Sequence, residues 1–148
     1  MRGIKGIGHV ALSVKEIQRS LDFYVGKLGF EEMFRLYHPD DAKRLWIVYL
    51  RITDTQFLEL FPGGTGETTP KRWTLGFDHL CLECSDIDLA IADLTAKGVP
   101  LMEARKVGAD DNVQAWIADP DGHRIELMQL GPNSLQLAAI KRLATVRQ

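Results

Sequence analysis

A chain of 148 residues with 45% hydrophobic and 26% charged side chains can bury the core of one folded domain without covalent staples, and this composition excludes disorder. Its 18 basic and 20 acidic residues leave a net charge of -2, so no basic excess is available to neutralise phosphates and nucleic acid is not an expected partner. No run of 18 apolar residues exists, so no membrane helix is expected; the opening residues Met1-Arg2-Gly3-Ile4-Lys5 lack the apolar stretch of a secretory signal, and two cysteines are too few for a disulfide framework, which points to the cytoplasm.

In chain order, the first recognisable segment is Gly6-Ile7-Gly8-His9-Val10-Ala11-Leu12, a strand pattern. Residues 13–28 then carry Ile17, Leu21, Tyr24, Val25 and Leu28 at helical spacing and close on Gly29, a suitable C-terminal cap. Strand-like runs follow at 30–36, 45–52 and 56–61. Residues 62–75 begin Pro62-Gly63-Gly64-Thr65-Gly66 and run on through Pro70, a linker by composition. The same order then starts again. Gly76-Phe77-Asp78-His79-Leu80-Cys81-Leu82 matches the opening strand with an offset of 70 residues. A helix is expected over 85–97, capped by Ser85 or Asp86 and closed by Gly98, followed by strands at 100–106, 113–118 and 124–130. Both halves read β-α-β-β-β, as modules 4–61 and 76–131 of one domain spanning 1–148. Residues 132–148 hold a final helix, 134–146, with Ser134 as cap and Leu135, Ala139, Ile140 and Leu143 along one side.

The repeat places polar residues at equivalent positions. Each half opens on a strand with a histidine, His9 or His79, and ends on a strand with a glutamate between apolar neighbours, Leu58-Glu59-Leu60 and Ile125-Glu126-Leu127. The flanking side chains point to the opposite face of the strand, so each glutamate looks inward, where an unpaired charge is costly. A cation removes that cost. Two imidazoles and two carboxylates form an N2O2 donor set suited to Zn, Ni, Co, Mn or Fe. A single His or Glu of this kind would more often pack or face solvent; four at equivalent repeat positions favour a metal site of His9, Glu59, His79 and Glu126.

These segments, with Ser20-Leu21-Asp22-Phe23-Tyr24, Leu28-Gly29-Phe30 and Asp119-Pro120-Asp121-Gly122 leading to Glu126, resemble the vicinal-oxygen-chelate superfamily, and within it the glyoxalase I-like group, over nearly all of residues 3–131. The resemblance implies an α+β fold, the glyoxalase/bleomycin resistance/dioxygenase fold, in which paired β-α-β-β-β modules curve their mixed sheets into a metal-binding cup. It implies that all four residues bind a divalent metal and that Glu59 and Glu126 are the catalytic pair, one of which releases to act as base; the near-symmetry of the halves leaves either eligible, and Glu126 is the one chosen. The implied reaction is a lyase or isomerase step on a small substrate with vicinal oxygens, passing through an enediolate. The superfamily's ring-cleaving dioxygenases, using iron or manganese, and its small-molecule binding or resistance proteins are the alternatives. Bacterial glyoxalase I holds glutathione with an Arg four residues after the first His and an Asn four residues after the first Glu. Ser13 and Gly63 stand at those positions here, which speaks against glutathione. A homodimer is implied by resemblance alone.

Other residues invite functional readings with simpler alternatives. Cys81 and Cys84 spell C-x-x-C, but strand positions three apart face opposite sides, so a structural role is expected. His123 is expected on the face opposite Glu126, and His38 in a loop with Pro39, Asp40 and Asp41, both solvated. Strand parity places Ala11, Phe57, Phe61, Cys81, Glu83, Arg124 and Met128 on the ligand face. Trp46, Tyr49, Trp73 and Trp116 are core or pocket residues. Arg35, Arg44, Arg51, Lys71, Arg72 and Arg105 could meet an anionic substrate, although a solvated surface is the ordinary place for each.

Overall fold

A computed structural model describes residues 3–66 and 75–145 of the chain, which divides into two compact units, Met1–Glu67 and Thr68–Gln148. The first unit runs β1 (His9–Val14), α1 (Ile17–Tyr24), β2 (Glu31–His38), β3 (Asp41–Thr53) and β4 (Gln56–Pro62). Its sheet has the order β1-β4-β3-β2, with β1 parallel to β4 and the other pairs antiparallel. The second unit repeats this with β5 (Leu80–Glu83), α2 (Ile87–Ala96), β6 (Glu103–Val107), β7 (Val113–Ala118) and β8 (Arg124–Gln129), in the order β5-β8-β7-β6, and then adds α3 (Leu135–Thr145). Again the opening and closing strands pair in parallel. This is the α+β arrangement of β-α-β-β-β modules that the sequence pattern predicts.

Period-two alternation explains which face each sheet buries. Leu12, Val14, Val48, Leu50, Leu58 and Leu60 lose nearly all solvent contact, and α1 packs against β4 through a face containing Leu21 and Tyr24. In the second unit Ala115, Ile117, Ile125 and Leu127 are buried on the sheet, with Ile87 and Leu94 of α2, which packs on β7 and β8. Each such Leu or Ile stabilises its unit by about 1.5–3 kcal/mol, more than an exposed ion pair on the same strands can.

The helices are shorter than their periodicity predicts. Ser13 and Val14 complete β1, and Glu16 is still extended, with φ -120° and ψ 107°, so α1 starts only at Ile17. Beyond Tyr24 the apolar spacing continues through wider turns, in which Leu28 N donates to Phe23 O and Phe30 N to Tyr24 O. Gly29 permits this ending at φ 79°, and Gly98 at φ 72° closes α2 in the same way. Asp86 caps α2, its carboxylate accepting from Leu89 N at 3.0 Å. Ser134 Oγ accepts from Leu137 N at 3.2 Å at the start of α3.

Two histidine expectations are corrected. His38 ends β2 rather than lying in a loop, because Pro39 and Asp40 form a two-residue turn that pairs His38 with Asp41; its ring stacks on Trp46 at 5.4 Å. His123 is not solvated. It is held in the Asp119-Pro120-Asp121-Gly122 turn, where Asp119 Oδ1 accepts from the backbone N–H of Asp121 and His123 and Oδ2 lies 2.9 Å from His123 Nδ1. The β6 strand begins at Glu103 instead of residue 100: Pro100 has no N–H to donate, and Met102 N reaches Trp116 O of β7 at 2.7 Å just ahead of the strand. α3 leaves Leu135, Ile140 and Leu143 exposed among the described residues. A buried Asn112 ties this helix to the β6–β7 connection, bonding Asp110, Gln136 and Gly131 N.

The fully buried Asp119 side chain sets two expected outcomes. Asp119→Ala strands two backbone donors and should lower unfolding free energy by about 3 kcal/mol in urea denaturation. The Asp119 carboxylate also raises His123 above its ordinary 6.5, against an opposing effect of burial. That stabilisation is complete below pH 6.5 and is lost as pH rises through the raised value, so the wild-type urea midpoint should fall over this range while His123→Gln flattens the profile.

Candidate functional site

Strand register builds one three-residue row in each unit. Glu59 on β4 faces Ala11 of β1 on one side and Tyr49 of β3 on the other. Glu126 on β8 faces Cys81 of β5 and Trp116 of β7. The histidine sits two residues before the first member of each row, His9 before Ala11 and His79 before Cys81, and so shares its face. His9 is the first residue of β1, whereas His79 lies one residue ahead of β5.

The resulting pairs are close. His9 Nδ1 lies 3.4 Å from Glu59 Oε1, and His79 Nε2 lies 3.2 Å from Glu126 Oε2. Glu59 is only 5% exposed although it carries a carboxylate. The Tyr49 hydroxyl donates to it, an interaction that raises the Tyr49 pKa. Phe34 stacks on the Tyr49 ring at 4.3 Å. Around Glu126 the partners differ. Trp116 is buried and its indole N–H donates to Gln114 Oε1, so it makes no such bond to the carboxylate. Cys81 Sγ hydrogen-bonds Glu126; desolvation foremost, with the Glu126 charge second, pushes its thiol up to about 12, although the residue as a whole is exposed. Such a thiol stays protonated and is a poor nucleophile. Cys84 is likewise a free thiol, pushed up mainly by burial.

Each unit therefore offers one imidazole and one carboxylate from equivalent positions. Among the described residues no three His, Cys, Asp or Glu side chains form a group able to hold a metal ion. The donor chemistry nevertheless suits a divalent cation. Nitrogen and oxygen donors are paired, Glu59 is desolvated, and His79 lies between two carboxylates, Glu126 on Nε2 and Asp78 on Nδ1 at 2.8 Å. A neutral imidazole has one N–H and can donate to only one of these; a divalent cation, if bound by Nε2 and Glu126, would satisfy the other.

The remaining candidates divide clearly. Arg35 bonds Glu32, Arg44 bonds Asp40, Arg51 bonds Glu31 and Asp54, and Arg105 lies 2.7 Å from Asp88. These cations are engaged at the surface. Trp73, Lys71 and Arg72 lie outside the described residues. Met128 is buried, and Trp46 is exposed beneath His38. Arg124 lies over the Trp116 ring and pairs with Asp78. Sequence reasoning missed Asp78 as a site residue; an acid immediately preceding a candidate ligand histidine is the signal that could have found it.

Comparison with known proteins agrees with this architecture. Lactoylglutathione lyase of Pseudomonas putida is 31% identical, covering 84% of this chain and 84% of its own length. Mitochondrial methylmalonyl-CoA epimerase of Bos taurus is 26% identical, over 83% of this chain and 73% of its own. The crystal structure of a glyoxalase family protein from Enterococcus faecalis superposes with a TM-score of 0.73 at 31% identity, covering 84% of this chain and 97% of that one. Residues 6–127 match the family model, and the chain belongs to the Glyoxalase/Bleomycin resistance protein/Dioxygenase superfamily.

Proposed function

We propose that the protein is a metal-dependent lyase or isomerase of the glyoxalase I type, acting on a small substrate with vicinal oxygens. The observation that carries this reading is the repeated pair, His9 with Glu59 and His79 with Glu126: the two glutamates hold the same register position in their sheets, and each histidine stands two residues before the residue that faces its glutamate. Together the four residues would hold one divalent cation, with Zn, Ni, Co, Mn and Fe all suited to the donors. When bound, it would supply positive charge to neighbouring substrate oxygens as negative charge develops on them.

The chain's own residues divide the remaining work. Glu126 Oε2 takes a proton from one substrate carbon and returns it to the adjacent one. Glu126 suits this role better than Glu59. Its side chain is 16% exposed against 6%, and the indole facing it is turned to Gln114, whereas Glu59 is held by the Tyr49 hydroxyl. The similarity to a lactoylglutathione lyase supports the lyase class. The similarity to an epimerase supports proton transfer as the shared step and adds a second test substrate. Ser13 and Gly63 in place of the expected Arg and Asn favour a substrate without glutathione.

Metal analysis of the purified protein, with methylglyoxal–glutathione, glutathione-free vicinal dicarbonyl and methylmalonyl-CoA assays alongside, tests the reading. About one divalent metal per chain is expected. Glu126→Gln should cut turnover by about 10²–10⁴-fold while metal is retained, and His79→Ala should lose metal. The mass of the loaded protein tells whether one chain or two supply the four ligands. A protein that takes up no divalent metal overturns the proposal.

A further inference from the structure

Among the described residues, the second unit contains a chain of polar contacts for which the first has no counterpart. Arg124 Nη1 lies 3.2 Å from Asp78 Oδ1, the same oxygen lies 2.8 Å from His79 Nδ1, and His79 Nε2 lies 3.2 Å from Glu126 Oε2. Arg124 also approaches Glu103 Oε1 at 3.8 Å and lies over the Trp116 ring, 4.4 Å from its centroid. The same indole meets the His79 ring edge-on at 4.8 Å and 72°. In the first unit, Gly8 precedes His9 where Asp78 precedes His79, and Phe57 holds the place of Arg124, two residues before the glutamate. Among the described residues His9 meets only Glu59.

We propose that Asp78, anchored by Arg124, is the positioning residue for His79, fixing the imidazole with its N–H on Nδ1 and its Nε2 lone pair turned to the metal side. This rests on the metal-binding reading above. A neutral imidazole carries one proton, and a carboxylate beside Nδ1 draws it there, leaving Nε2 as the donor a cation needs. Asp78 alone could do this only weakly, because its side chain is 53% exposed and an isolated surface contact is worth little. The Arg124 guanidinium, itself mostly buried and stacked on Trp116, converts that contact into a network. Trp116 limits rotation of the His79 ring from the other side. His79 is thereby preorganised, while His9 takes its orientation from Glu59 and the cation.

The test uses the full chain and two readouts. Long-range ¹H–¹⁵N correlation reads the His79 tautomer in metal-free protein, and chelator competition reads Zn²⁺ affinity. The wild type should show Nδ1–H. Asp78→Ala should shift His79 toward Nε2–H, which then donates to Glu126, and weaken Zn²⁺ binding about 10–100-fold with the thermal midpoint nearly unchanged. Asp78→Glu should recover part of the affinity, and Arg124→Gln should give a smaller change in the same direction. An unchanged tautomer in Asp78→Ala, or a changed tautomer with unchanged Zn²⁺ affinity, overturns the inference alone. A wild type that binds no Zn²⁺ and no other divalent metal overturns the proposed function, and this inference with it.

Discussion

Both sheets must accommodate a carboxylate flanked by apolar neighbours in the closing strand, Leu58-Glu59-Leu60 and Ile125-Glu126-Leu127. Leu58 and Leu60 are fully buried on one face of β4, so Glu59 between them must leave by the other, and it is nearly as buried as they are. Such a charge is tolerated only with partners. Parallel pairing supplies the first of them. Because β1 runs alongside β4 and β5 alongside β8 in the same direction, a histidine near the start of the opening strand lies beside the glutamate near the middle of the closing one. Two parallel strands cannot be joined by a tight turn, so each module needs a crossover. The helices α1 and α2 belong to those crossovers, and they also cover the apolar faces of β4 and of β7 and β8. The strand order that brings imidazole beside carboxylate is thus one that requires a crossover, and the helix of that crossover covers the apolar face.

The repeat preserves this skeleton and varies what surrounds it. Ala11, Glu59 and Tyr49 form one row; Cys81, Glu126 and Trp116 form the other. A phenol holds Glu59 from the third strand. A thiol, which is a weak donor, is the matching partner of Glu126 from the first. The histidines differ in the opposite sense, with His79 braced by Asp78 and Trp116 and His9 left to Glu59. In each half, therefore, one member of the pair is held firmly and the other less so.

Much of the architecture was legible from local pattern. Period-two alternation located the strands to within a few residues, and 113–118 matches β7 throughout. Gly98, at positive φ, closed α2 where its spacing ended, and Gly29 took positive φ where the apolar spacing that begins in α1 ran out. The helix lengths were not legible, because Leu28 keeps helical spacing while its backbone has already left the helix. His38 and His123 were misjudged for the same underlying reason. Each owes its surroundings to a turn partner, Trp46 across a hairpin or Asp119 within its loop, and neither partner leaves a periodic signal. At the site, the four candidate ligands could be named from the repeat; Asp78 left only the weaker signal of an acid next to a histidine, and its tie to Arg124, 46 residues away, was not legible.

What the sequence by itself determined is the set of local choices: two β-α-β-β-β modules, an apolar face on each strand, and one His and one Glu at equivalent points of each module. Periodicity, caps and turn residues act over a few neighbours, so they can be read from neighbours. Tertiary structure decided the rest. Register brings Ala11 to Glu59 and Cys81 to Glu126, places Tyr49 beside one carboxylate and Trp116 beside the other, and lets Arg124 reach Asp78. Those are contacts between distant segments, set by which strands pair and by how the backbone ladder aligns them, and no local pattern specifies either one.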